Sequence, residues 1–184
     1  KGRLSAASYI NFSDRHEYDQ QRMRYTLTFQ ANRIANTPLS IESYVSFRHT
    51  INEWQEVKDD FLRMFKVYTL ALQYSGKENT QIWIGRKINP VISNIGAIDG
   101  LQLEQKFKSM TMGVFAGSRP DHSNYGFNPD LLQYGAYVGH TAETQNGLMQ
   151  STIAFAEQRN HTMTDRRFAY IQHVNSSIRH LNIF

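Results

Sequence analysis

A strict alternation of apolar and polar residues constrains this chain more than any other feature, and it is clearest in Met23-Arg24-Tyr25-Thr26-Leu27-Thr28-Phe29-Gln30-Ala31-Asn32. In an extended backbone successive side chains leave opposite faces, so the odd positions make one apolar face and the even positions one polar face. A helix would scatter the same residues around its axis. The pattern recurs at Leu39, Ile41, Val45 and Phe47 against Ser40, Glu42, Ser46 and Arg48. It returns at Tyr68, Leu70, Leu72 and Tyr74 against Val67, Thr69, Ala71 and Gln73, and at Leu101, Leu103 and Phe107 against Gln102, Glu104 and Lys106.

Further strand-like stretches cover 3–12, 80–86, 109–117, 130–140, 148–157 and 165–174, with a last one starting near 179, so about eleven strands are expected. In the later ones Met110, Met112 and Val114, then Leu132, Tyr134 and Val138, then Ile153 and Phe155, then Phe168, Tyr170 and Val174 are expected on the apolar face. Most run nine to twelve residues. Soluble strands centre near about five or six residues, whereas a tilted strand crossing a bilayer needs about nine to eleven. Connections alternate as well: long polar ones at 13–21, 50–61, 87–99 and 117–129 interleave with short ones at 33–37, 75–79, 108–109 and 141–147. Long loops on one side and short turns on the other are the habit of up-and-down barrels of the outer-membrane type. The short connections carry turn chemistry, as in Asn36-Thr37-Pro38 and Gln145-Asn146-Gly147. Asp59–Met64, the most helix-like stretch, reads as loop or the start of a strand.

Composition agrees without deciding. A mean hydropathy of -0.54 is what a barrel with one wet face would average to, and equally what a soluble domain would. With 11 Phe, 10 Tyr and 2 Trp the chain is too rich in buriable surface for disorder. No run of apolar residues is long enough for a helical membrane span. There is no Cys, which removes disulfides, thiolate metal sites and cysteine nucleophiles. The +4 net charge is dispersed, with no run of five like charges, so no nucleic-acid partner is expected.

Catalytic signatures are missing too. The seven His residues show no metal-ligand spacing, and no nucleophile elbow or phosphate-binding glycine loop occurs. No metal, cofactor or enzymatic activity is expected. Asp14, Glu17 and Asp19 in the first long loop read as solvated charges, with contact to a divalent cation or lipopolysaccharide-bound ions as the other reading. The polar parity gives the candidate site: a lumen lined by Arg24, Gln30, Glu42, Arg48, Glu104, Lys106 and Arg167, with Thr26, Gln102, Gln133, Gln150, Thr152 and His173 between them. Charged residues inside a pore select solutes by charge and size. Gly113, Gly117, Gly135 and Gly139 fall on the same face, where a missing side chain relieves crowding or admits a loop.

Gly85-Arg86-Lys87-Ile88-Asn89-Pro90, then Gly96-Ala97-Ile98-Asp99-Gly100-Leu101, then Gly117-Ser118-Arg119-Pro120-Asp121 follow one another through 85–121. In this arrangement, and over nearly its whole length, the chain resembles porin-like outer-membrane β-barrel proteins of the Bacteroidota. The resemblance implies a longer protein whose barrel continues past Phe184, a place in the bacterial outer membrane, and no catalytic residues. Asp99, Gly100, Arg119 and Asp121 are the candidate loop or constriction residues; Gly96 and Gly100 flank a loop expected to fold back into the barrel, with Asp99 expected to cap its turn by accepting backbone hydrogen bonds.

The expectation is therefore an all-β chain, 1–184 forming one antiparallel up-and-down transmembrane β-barrel or a segment of a larger one. Its role would be a passive pore or the barrel subunit of an envelope assembly, in contact with outer-membrane lipid, lipopolysaccharide and other envelope proteins. The alternative is a secreted soluble β-sandwich that binds carbohydrate or peptide, with Trp54, Tyr125 and Phe127 stacking on the ligand.

Overall fold

In the computed structural model, which describes residues 1–12, 20–144, 147–178 and 181–183, the alternating stretches become eleven strands of one sheet whose spatial order equals their sequence order. They are β1 (Gly2–Asn11), β2 (Gln20–Ala31), β3 (Leu39–Thr50), β4 (Phe65–Ser75), β5 (Thr80–Ile88), β6 (Ala97–Phe107), β7 (Met110–Ser118), β8 (Leu131–Thr144), β9 (Gly147–Asn160), β10 (Met163–Ile178) and β11 (Leu181–Ile183). Every neighbouring pair is antiparallel. Among the described residues β1 has no pairing with β10 or β11, so the sheet is open. The charged residues Asp14, Glu17 and Asp19 and the Gln145-Asn146 turn lie outside the described residues.

Asp59–Met64 is helical rather than extended. Helix α1 spans Trp54–Asp59 and helix α2 spans Phe61–Met64, with the Asp60 side chain accepting a hydrogen bond from the Arg63 backbone at the start of the second. Asp is among the best caps for an amide that has no partner within the helix. These helices and the connections 89–96 and 119–130 sit at one end of the strands, here the loop end, and the short connections at the other. The β9–β10 connection breaks the alternation: both strands run on to a two-residue turn at His161-Thr162.

One face of the sheet is apolar and exposed, and the other holds buried polar residues. Leu27, Phe29, Leu70, Leu72, Ile84, Leu101, Leu103, Val114, Val138, Ile153 and Phe155 are exposed, whereas Gln102, Glu104, Gln133, Thr152 and Gln158 on the other face are buried. The register makes this systematic, since Leu72, Ile84, Leu101, Ala116 and Tyr134 form one continuous apolar row across β4 to β8.

The polar face is covered over β6 to β10 by the β5–β6 connection. Its Pro90–Ile95 segment lies inward, and Ile92, Ile95 and Ile98 cluster with Phe115, Tyr137, Ala154 and Ala156, with Phe168 and Tyr170 packed against them. Two glycines make room for this. A Cβ on Gly113 would stand 2.3 Å from the Tyr137 ring, and one on Gly139 would come within 3.3 Å of Val91 in the inward segment.

Candidate functional site

The polar face carries most of the residues expected to line a lumen, in three zones. At the loop end Arg24 and Arg48 are direct cross-strand partners, with Arg22 opposite Thr50 beside them. Arg63 of α2 joins them in lining a cavity of about 680 Å³. The Arg24 guanidinium lies over the Tyr9 ring, 5.5 Å from its centroid.

In the middle, the carboxylate of Glu42 pairs with Lys87, whose ammonium also lies over Trp83 at 5.4 Å. Glu104 is buried and accepts a hydrogen bond of 2.6 Å from the Tyr137 hydroxyl, with Lys106 at 3.6 Å. The same hydroxyl accepts 2.8 Å from the Asn89 side-chain amide, and Asn89 Oδ1 accepts 2.9 Å from the Val91 amide. This chain of bonds fixes the inward segment to the sheet, and Asn94 reaches on to Gln172 of β10 at 3.4 Å. At the turn end Gln30 lines a polar cavity of about 820 Å³ with Asn32, Arg33, Ser40 and Gln73. Tyr137→Phe would leave Glu104 and Asn89 each short of a partner, and is expected to cost about 1–3 kcal/mol, read as a lowered denaturant midpoint.

Arg167 and His173 stand elsewhere than expected. Both lie on the apolar face, because β10 pairs Phe168, Tyr170 and Gln172 with the buried Ala156, Ala154 and Thr152. The facing of β10 follows the inward segment, which makes that face locally apolar and draws Phe168 and Tyr170 to it. Arg167 instead donates 2.6 Å to Glu157, which also accepts 2.7 Å from the Tyr134 hydroxyl.

The four loop or constriction candidates separate in the same way. Asp99 pairs bidentately with Arg86, both bonds 2.5 Å, and the two side chains are about nine-tenths buried. Arg86 also donates to the carbonyls of Val67 (2.7 Å) and Tyr125. By register Asp99 shares the face of Leu101 and Leu103, so it is not a lumen residue. The reason lies in β4, where only Leu70–Ser75 pair with β5. The unpaired stretch above, with a bulge that leaves Tyr68 without a cross-strand partner, is filled by the β7–β8 connection. Tyr68 stacks on Tyr44 at 5.3 Å and packs tilted against Tyr125 at 5.0 Å rather than joining the row of Leu70 and Leu72. A cavity of about 610 Å³ remains there between Phe65, Leu70, Ile84 and Phe127.

Gly100 faces Gly117, and a Cβ on it would stand 2.2 Å from the Ala116 carbonyl oxygen. Arg119 is on the polar face and donates to Gln158 at 3.3 Å. Asp121 organises a turn: one carboxylate oxygen accepts from the Ser123 hydroxyl (2.5 Å) and from the backbone amides of Ser123 (2.7 Å) and Asn124 (3.2 Å). Those bonds hold its carboxyl below the usual carboxylate range. A carboxyl depressed by folding stabilises above its unfolded pKa, and that contribution fades as pH falls through the lower, folded value. The turn is therefore expected to open only at pH below the ordinary Asp range, and Asp121→Asn to abolish that transition in pH-dependent proteolysis of 119–130.

Of the aromatic residues proposed for ligand stacking, Trp54 packs on His49 at 4.5 Å, Tyr125 lies on Arg86 at 5.5 Å, and Phe127 is exposed. Among the described residues no group of three or more His, Asp or Glu could hold a metal ion, and no helix is long and apolar enough to cross a membrane. No protein-family model matches the chain, and no curated protein matches it.

Proposed function

We propose that the chain is an outer-membrane β-barrel, or a segment of one, that passes small solutes along its polar face. The carrying observation is the inverted polarity: a continuous exposed apolar face against a face where Gln102, Glu104, Gln133 and Gln158 are buried. A surface of that kind in water would drive association, whereas a bilayer covers it. Closure of the sheet is part of this reading, because an open eleven-stranded edge in lipid would leave backbone groups unpaired. The inward Pro90–Ile95 segment narrows the passage it would enclose.

The sandwich alternative has no second sheet among the described residues. The test is cell fractionation with electrophoresis of unheated samples. Recovery in the outer-membrane fraction as a compact band that shifts on boiling supports the barrel; a freely soluble product without detergent overturns it.

A further inference from the structure

We infer that the arginine-lined cavity at the loop end of the polar face is a binding site for a small solute carrying two or more phosphate groups. In β3 to β10 several charged side chains meet opposite charges: Glu42 with Lys87, Arg86 with Asp99, Glu157 with Arg167. At the loop end of β2 and β3 the pattern differs. Arg24 and Arg48 face each other directly across β2 and β3, an arrangement of like charges that destabilises a ladder. Arg22 and Arg63 line the same cavity, and Lys66 is near enough to Arg48 and Arg63 to feel the repulsion of both. Among the described residues none of Arg22, Arg24, Arg48 and Arg63 lies within 4.0 Å of a carboxylate, although Glu53 and Glu56 are in the lining.

Four guanidinium groups lining one cavity, with no carboxylate in contact among the described residues, make a site that an anionic ligand would complete. The chemistry of that partner follows from the donors. Each guanidinium is a planar fork that binds phosphate through two parallel N–H bonds. Forks on two strands and a helix address several anionic groups rather than one. Tyr9 already holds Arg24 in place through its ring, which lowers the ordering needed on binding. The polar face excludes the acyl part of a lipid, so the phosphates belong to a dissolved molecule.

The inference deepens the pore reading, from which it takes only the wet character of this face. Binding is measurable on the full chain in detergent or, were it soluble, in buffer, so loss of conductance and loss of binding are separate outcomes. Sodium tripolyphosphate titrated by calorimetry at low salt is expected to bind, with affinity falling as salt rises. R24Q/R48Q is expected to weaken it at least tenfold and R63Q severalfold, while K77Q at the opposite end stays within twofold. Because R24Q/R48Q removes a repulsion, its denaturant midpoint is expected to stay level or rise; R63Q, on a surface helix, serves if the double variant misfolds. Citrate is expected to bind at least tenfold more weakly. The inference is overturned by no heat of binding at millimolar tripolyphosphate, by both arginine variants staying within twofold, by citrate binding equally well, or by lipopolysaccharide alone occupying the site.

Discussion

Asp99→Ala is expected to lower stability by about 3–5 kcal/mol, because it leaves the buried Arg86 guanidinium without its counter-charge. Arg86 ties three parts together: β6 through Asp99, the part of β4 that does not pair with β5 through the Val67 carbonyl, and the β7–β8 connection through the Tyr125 carbonyl. With Asp99 gone the guanidinium must recruit water or leave, and either outcome releases the connection. Denaturant unfolding in detergent reads the stability loss, and proteolysis at 121–127 reads the release. A change below about 1 kcal/mol would match an exposed ion pair and contradict the buried arrangement. R86K should not rescue, since an ammonium cannot make the fork's parallel bonds.

The second large effect concerns lipid. Leu27 is exposed on the apolar face, opposite Leu4 and Val45, and Thr28 is exposed on the polar one. In a bilayer, Leu27→Arg is expected to cost about 2–4 kcal/mol and Thr28→Arg close to nothing. In water both would stay within about 0.5 kcal/mol, as surface substitutions do. Refolding into lipid vesicles with denaturant titration distinguishes the two, and equal tolerance at both positions would sink the bilayer reading.

Strand parity was legible wherever one set of positions was apolar and the other polar. In Met23–Gln30 of β2 and Leu101–Glu104 of β6 that condition holds, and Leu27, Leu101 and Leu103 are exposed as alternation requires. It fails in β10, where Phe168, Ala169, Tyr170 and Ile171 are apolar on both parities. The choice there is made by Ile92 and Ile95, more than seventy residues away in the chain, and no local pattern contains it. The helices of 54–64 escaped because two single turns are too short to show a period.

The Arg86–Asp99 pair did leave a trace. Gly85-Arg86 and Asp99-Gly100 stand at mirrored distances about one connection, which is what direct cross-strand partners look like in a hairpin. The placement of Arg24 and Arg48 on one face was readable from alternation. Their direct opposition was not, since it depends on the β2–β3 register.

Because strand order equals sequence order, the ladder by itself behaves as a zipper in which each strand answers only to its two neighbours. The inward Pro90–Ile95 segment breaks that independence for part of the sheet. By joining β6 to β10 across β7, β8 and β9, it makes those strands share one fate, while β1 to β3 lie outside that tie and answer to their neighbours alone. Amide exchange should accordingly divide the sheet in two, with graded protection in β1 to β3 and a single common opening energy from β6 to β10.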